Sequence, residues 1–510
     1  MSRKRTFRNL SLDLFEFSEP DLSTISTPRS QKSRGGYYTP DSVVAALTSW
    51  AIRRRTDRLL DPACGDGRFI ATHRPSVGIE DEPSAAREAM SRAPWALVHK
   101  GDFFSWAANT KERFQCAAGN PPFIRYQTFS GSVRETALTL CSRLGADFSG
   151  LTSSWAPFLV ATAHLLMPGG RMAFVVPAEI GHAPYSAPLI EYLLSRFEKV
   201  HVVPVAERIF PQISEDCWLL YADGFGGRST AIHLSALDRF EFAPGPPAAA
   251  QFVGADEWRN EWNRRLRPFL MASPSREAYQ RLTKEPASFR LRTIARVGIG
   301  YVTGANDFFH LRPSQAEQRD IGSEFLLPSV RNGRALPEEA LTEALVAAWR
   351  KGDEPVLLLR LPREGGLPVA VRRYLESDAG RKASASYKCR NRTPWYSVPD
   401  VNVPDYFLSY MSSSKPNLVQ NLAQCSCTNS IHAVRLRRRS DGSLLRQGWR
   451  GPLAELSCEI EGHPLGGGML KLEPGEAGNI VLHRGLLTPD DSAAVHLGVR
   501  DLRRWRHIAT

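Results

Sequence analysis

The chain has 510 residues, 42% of them hydrophobic and 23% charged, which supplies more than one buried core and excludes a fibrous, collagen-like or low-complexity protein. Its net charge of +12 and pI near 9.4 favour a polyanionic partner, nucleic acid before a membrane surface. Eight scattered cysteines without a CxxC pair exclude a disulfide or zinc framework and fit a reducing cytoplasm, and no signal peptide or membrane-spanning apolar run is recognisable.

Residues 1–36 are polar, rich in Ser, Thr, Arg and Lys, and read as a flexible basic arm. Tyr37-Tyr38-Thr39-Pro40 follows, then a helical pattern through Val44, Leu47 and Trp50, with Thr39 or Asp41 as the expected cap. Leu59-Leu60 is a short strand leading into Asp61-Pro62-Ala63-Cys64-Gly65-Asp66-Gly67 and a helix start. The third glycine of a dinucleotide fingerprint is missing, and a carboxylate at the strand end repels a pyrophosphate. Asp61 suits the ammonium of a cofactor with an amino-acid moiety.

A strand through Val77-Gly78-Ile79 ends at Glu80, placed to accept from the two hydroxyls of a ribose. Ala96-Leu97-Val98-His99 leads to Gly101-Asp102-Phe103, where Asp102 is expected to accept from an adenine amine and Phe103 to lie against the ring. Cys116-Ala117-Ala118 then stops at Gly119 and Asn120-Pro121-Pro122-Phe123. Two prolines remove two N–H donors. What remains is the Asn120 side-chain oxygen, the Pro121 carbonyl and an aromatic face, an array suited to a planar ring bearing an amino group. The same residues also read as an Asn-Pro-Pro turn that merely ends a strand. In a doubly wound sheet the four strand ends line one crevice.

Residues 124–150 form a variable connection. Helices through 155–166 and 187–197 alternate with strands at Arg171–Val176, His201–Val205 and Trp218–Tyr221, and Arg208-Ile209-Phe210-Pro211-Gln212 makes a turn. The alternation predicts an α/β sheet covered on both faces. A Pro- and Ala-rich linker is expected at 241–250, giving a catalytic domain over 37–240 and a second, mixed α+β domain over 251–510. Between 381 and 439 basic and aromatic residues interleave, Arg381, Lys382, Tyr387, Lys388, Arg390, Arg392, Trp395, Tyr396 and Lys415 among them, as on a surface that clamps phosphates. A solvated basic face over core aromatics gives the same pattern.

In this order the motifs resemble those of the γ-class N6-adenine DNA methyltransferases of bacterial restriction–modification systems. Tyr37-Tyr38-Thr39-Pro40 resembles that family's first cofactor motif, and Asp61 to Gly67 its S-adenosylmethionine loop. Glu80 and Asp102-Phe103 match the ribose and adenine contacts, Asn120-Pro121-Pro122-Phe123 the catalytic tetrapeptide, and Phe210 the aromatic set against a flipped adenine. Further matches are Val302 to Phe309, Arg392 to Tyr396, Cys427 to His432 and Gly466 to Leu472.

The resemblance implies a Rossmann-like S-adenosyl-L-methionine-dependent methyltransferase sheet followed by a C-terminal target-recognition domain. It implies cofactor contacts from Thr39, Pro40, Asp61, Ala63, Gly65, Gly67, Glu80, Asp102 and Phe103, and catalysis by Asn120, Pro121, Pro122, Phe123 and Phe210 without a metal. DNA contacts are expected from Arg392, Trp395, Tyr396, Lys415 and Asn429. The implied partners are double-stranded DNA and a cognate endonuclease on a separate chain, with the enzyme itself a monomer. Phe123 departs from the tyrosine usual in these DNA enzymes. The tetrapeptide Asn-Pro-Pro-Phe also resembles RNA base methyltransferases, so an RNA adenine or guanine amine is the alternative substrate.

Overall fold

A computed structural model describes residues 39–212 and 215–508. The 1–36 arm, the Tyr37-Tyr38 half of the first motif and the last two residues lie outside them. The alternation of apolar strands and helices builds one nine-stranded sheet, in the order β3-β2-β1-β4-β5-β7-β6-β8-β9. Its strands are β1 (Leu59–Asp61), β2 (Ser76–Glu80), β3 (Leu97–Lys100), β4 (Phe114–Gly119), β5 (Leu166–Pro177), β6 (Phe197–Val203), β7 (Cys217–Phe225), β8 (Ala231–Leu234) and β9 (Gln251–Gly254). β1 to β5 pair in parallel, while β7 runs antiparallel between β5 and β6.

The two faces follow from the period-two alternation of side chains. Leu60, Ala117, Phe174, Val176 and Leu220 point into one core. Leu59, Cys116, Ala118, Ala173, Val175, Leu219 and Tyr221 point into the other. Helix α1 (Asp41–Ala51) covers the second face with Val43, Val44, Leu47 and Ala51. Beyond β2 comes α2 (Pro83–Arg92). The first face is covered by α3 (Phe103–Asn109), α4 (Gly131–Leu144), α5 (Trp155–His164) and α6 (Ser186–Arg196). From Trp155 to Ala163 every residue of α5 is buried. Its sequence is accordingly apolar on all sides rather than striped.

The expected domain border is displaced. Residues 241–250 do not separate two bodies, because β9 returns to pair with β8 in the catalytic sheet. Beyond it, Trp258, Trp262, Phe269, Met271 and Tyr279 share the first core with Leu456 and Ile460 of helix Pro452–Glu461 and with Val495, Val499 and Leu502 of helix Pro489–Arg504. The C-terminal helices are thus part of the catalytic body. The mixed α+β character expected for the second half lies mainly between them, in a five-stranded and a four-stranded sheet with their own cores.

A buried ionic network fastens the C-terminus. Glu459 lies between Arg267 at 3.2 Å and Arg506 at 2.6 Å, all three excluded from solvent. Burial alone raises the Glu459 carboxyl. The hydrogen bond from Arg506 and the charges of Arg267 and Arg506 outweigh that and hold it below the usual range. All eight cysteines are buried free thiols. Among the described residues, no helix is long and apolar enough to cross a membrane.

Candidate active site

Parallel pairing brings three of the four strand ends side by side, with β1 between β2 and β4. Gly119, the last residue of β4, lies against Asp61 at the end of β1. A Cβ at Gly119 would meet Asp61 Oδ1 at 2.6 Å and the Phe174 ring at 3.1 Å, so the glycine leaves room for the Asp61 carboxylate. The turn after β1 needs glycine for a second reason. Gly67 has φ +87°, and a Cβ there would meet the Ala89 backbone at 2.7 Å.

Asp61 is 1% exposed. Its Oδ1 accepts from the Ala63 N–H at 3.2 Å, while Oδ2 has no hydrogen-bond partner among the described residues. Burial pushes its carboxyl up to about 8. A buried carboxylate oxygen without a donor is a receptor for a cation, and the ammonium of an amino-acid moiety fits it. Glu80 accepts from the Gly65 N–H at 2.8 Å and the Glu82 N–H at 2.9 Å, which ties the glycine turn to β2. Burial raises its carboxyl too. The Asp81 side chain hydrogen-bonds to it as well.

Asp102 caps α3, accepting from the Ser105 N–H at 2.7 Å. Phe103 departs from expectation. Its ring is buried and stacked on Phe158, centroids 5.1 Å apart and 11° from parallel, so it is not presented to a cofactor ring. The first residue of a helix still offers its backbone N–H, which has no intrahelical acceptor.

Thr39 and Asp41 do not cap α1. The helix starts at Pro40 without a side-chain cap, and the Pro40 carbonyl receives the Val43 and Val44 N–H groups. The buried Thr39 hydroxyl instead accepts from Asn120 Nδ2 at 3.2 Å. Beyond Asn120, Pro121 is buried, and Phe123 is half-buried against both cores. Ser154, at the head of α5, bonds to Pro122 and Ile124 on either side of Phe123. The sequence reading missed it, because a serine before an apolar run looks like an ordinary helix cap.

Phe210 is only 3% exposed, inside the core that Phe123 borders. It backs the wall of the site and does not offer an open face to a base, contrary to expectation. The mouth is polar. Arg125 pairs with Glu215 at 3.1 Å, and His507 approaches Asp216 at 2.8 Å. His182 stacks on His463 with centroids 5.8 Å apart. The C-terminal half therefore meets the loops at the end of β5 and the start of β7.

Most of the expected DNA contacts have structural work instead. Arg392 donates to the carbonyls of Val302 and Thr303, both at 2.6 Å. Trp395 packs on Phe308 and Phe309, and Tyr396 on Trp395. Lys415 donates to the carbonyls of Trp449 and Gly451 at the end of a helix. Asn429 keeps a half-exposed place in a turn. The basic–aromatic pattern reaches solvent upstream. Tyr387 is 56% exposed, with the Arg390 guanidinium 5.3 Å and the Lys388 ammonium 5.6 Å from its ring.

The profile of the family described as Type II methyltransferase M.Eco57I, C-terminal domain, matches residues 263–506. The chain is similar to type II methyltransferase M.AccI of Acinetobacter calcoaceticus, 21% identical over 501 residues, covering 93% of this chain and 90% of that protein. It is also similar to type II methyltransferase M.TthHB8I of Thermus thermophilus, 25% identical over 357 residues, covering 64% of this chain and 77% of that one. Among solved structures it resembles the type IIL restriction–modification enzyme MmeI in complex with DNA, with a TM-score of 0.47 and 11% identity, over 84% of this chain and 61% of that one.

Proposed function

We propose that this chain, which is similar to type II methyltransferases, methylates N6 of an adenine extruded from duplex DNA. The methyl donor is S-adenosyl-L-methionine. The observation that carries the reading is the placement of Asn120-Pro121-Pro122-Phe123 at the end of β4, beside the buried, partly unpartnered Asp61 on β1.

The donor, when bound, supplies an electrophilic methyl on a sulfonium. Asp61 would hold its ammonium and Glu80 its ribose hydroxyls, while Asp102 and the first N–H groups of α3 would bind its adenine. Gly65 and Gly67 let the turn pass close to it. Adenine N6 inside a duplex is out of reach of such a crevice, so the base is extruded and stacks on the half-exposed ring of Phe123. Asn120 Oδ1 and the Pro121 carbonyl would accept hydrogen bonds from the two N6–H groups and keep the nitrogen lone pair out of conjugation. The amine would then take the methyl as its bond to sulfur breaks, with S-adenosylhomocysteine leaving and the surplus N6 proton passing to solvent. No covalent intermediate with the chain is needed, and the gain comes from positioning and fixed dipoles. The long C-terminal half favours DNA over an RNA substrate, because it matches a type II methyltransferase family across residues 263–506.

The enzyme acts as a monomer, and the endonuclease it protects against is a separate chain. The test is expression in a host lacking adenine methylation, followed by base-resolved detection of modified DNA. N6-methyladenine at one recurrent site supports the reading. Methylated cytosine, or methylation confined to RNA, would overturn it.

A further inference from the structure

Ser154 is the residue before α5, where a serine normally turns its hydroxyl onto the N–H groups of the first helical turn, a contribution of roughly 1 kcal/mol. Here no such cap is made. The hydroxyl donates to the Pro122 carbonyl at 2.5 Å and accepts from the Ile124 N–H at 3.0 Å. The Ser154 N–H donates to the Ile124 carbonyl at 2.9 Å. Two of these hydrogen bonds grip the peptide units on either side of Phe123, and the third holds the unit after Ile124. Ser154 is fully buried, so water does not compete for them. The helix behind it is buried on every side and makes a rigid anchor.

The prolines fix φ at 121 and 122 but leave ψ of Pro122 and both dihedrals of Phe123 to be set by something else. A hydroxyl bridging the carbonyl of 122 and the N–H of 124 sets them. A local rule forgone beside a reactive loop marks a functional constraint more often than an accident. We propose that Ser154 is a positioning residue for methyl transfer, holding the backbone that carries the Phe123 ring and so the placement of that ring. The proposal rests on the methyl-transfer reading of the tetrapeptide.

The experiment compares Ser154→Ala, Ser154→Thr, Asn120→Ala and Thr162→Ala in the full chain. Thr162 is the control, a buried hydroxyl on the same helix that bonds only to the Phe158 carbonyl in the turn below, at 2.7 Å. The readouts are tritium transfer from labelled S-adenosylmethionine to unmethylated genomic DNA, cofactor Kd by calorimetry, and melting temperature. Ser154→Ala is expected to lower kcat about 10- to 100-fold. Its cofactor Kd and its KM for DNA should stay within about twofold, as expected when only transition-state geometry is lost. Ser154→Thr should recover part of kcat, and Thr162→Ala should lower the melting point without lowering kcat. Full kcat in Ser154→Ala overturns the proposal. So does a loss that tracks cofactor affinity, or a melting point far below that of Thr162→Ala. Full activity in Asn120→Ala instead sinks the underlying reading. An inactive Asn120→Ala beside a fully active Ser154→Ala removes only the role of Ser154.

Discussion

Asn120 and Thr39, 81 residues apart in sequence, are joined by a hydrogen bond of 3.2 Å from the Asn120 amide nitrogen to the Thr39 hydroxyl. An amide whose N–H is committed on one edge presents its oxygen on the other. This bond favours the rotamer that leaves the Asn120 oxygen as acceptor, the orientation that the proposed amine substrate needs. The expected outcome for Thr39→Val, nearly the same shape without the hydroxyl, is a kcat lowered about tenfold as the amide loses its preferred orientation. Cofactor Kd should change far less. Steady-state methylation kinetics with calorimetry on the same preparation checks both.

Cofactor binding should depend on pH through Asp61. Burial raises its carboxyl to about 8, so without ligand the protonated form is favoured. The sign follows directly. The folded value lies above the unfolded one, so the group's contribution to stability is present below the unfolded value near 3.8 and is lost as pH rises through about 8. An ammonium needs the charged carboxylate. Cofactor affinity should therefore rise with pH as the Asp61 carboxylate forms and fall again once the ligand's ammonium loses its proton, near pH 8. Asp61→Asn should bind weakly and lack the rising limb. Calorimetric titration across pH 6 to 9 checks it, and parallel profiles for the two proteins would remove Asp61 from the site.

Glu459 should matter for stability alone. Removing the carboxylate leaves Arg267 and Arg506 buried together without a counter-charge, and breaking a buried pair costs about 3–5 kcal/mol. Glu459→Ala should melt well below the parent. The folded carboxyl titrates below its ordinary value, so this stability is present above about pH 4.5 and fades as pH falls through the folded value. Thermal melts at pH 7 and pH 4 check the cost and its sign.

DNA affinity should separate the exposed basic–aromatic patch from the buried residues that resemble it. Arg390→Ala is expected to lower the salt slope of DNA binding by about 1. Tyr387→Ala should lose about 1–3 kcal/mol if a base stacks on the ring. Lys415→Ala should leave the slope unchanged, because its ammonium is spent on the carbonyls of Trp449 and Gly451. Fluorescence anisotropy at several salt concentrations distinguishes them.

The sheet and the crevice were legible because apolar runs ending in Asp61, Glu80 and Gly119 mark buried parallel strands and their turns. Asn120-Pro121-Pro122-Phe123 was legible as a turn closing a buried strand, and it stands at the end of β4, next to Asp61. What stayed hidden depends on side-chain direction, which residue type alone does not carry. Phe103 and Phe210 are aromatic at the expected places, yet both rings are packed in the core. Arg392 and Lys415 are basic beside aromatics, yet both satisfy backbone carbonyls. The 241–250 segment has linker composition, yet the short β9 after it rejoins the first sheet. The partners of Thr39 and Ser154 lie 81 and about 30 residues away, beyond any local pattern.

The central claim, that Asn120 receives an adenine amine for methylation, is tested most directly by comparing parent and Asn120→Ala. Both would be given labelled S-adenosylmethionine and unmethylated duplex DNA, with the product digested to nucleosides and each protein's cofactor Kd measured alongside. The parent should yield labelled N6-methyldeoxyadenosine. Asn120→Ala should yield none, while its cofactor Kd stays within about threefold because the side chain acts on the base and not on the donor. Label in N6-methyldeoxyadenosine at the parent rate from Asn120→Ala would contradict it.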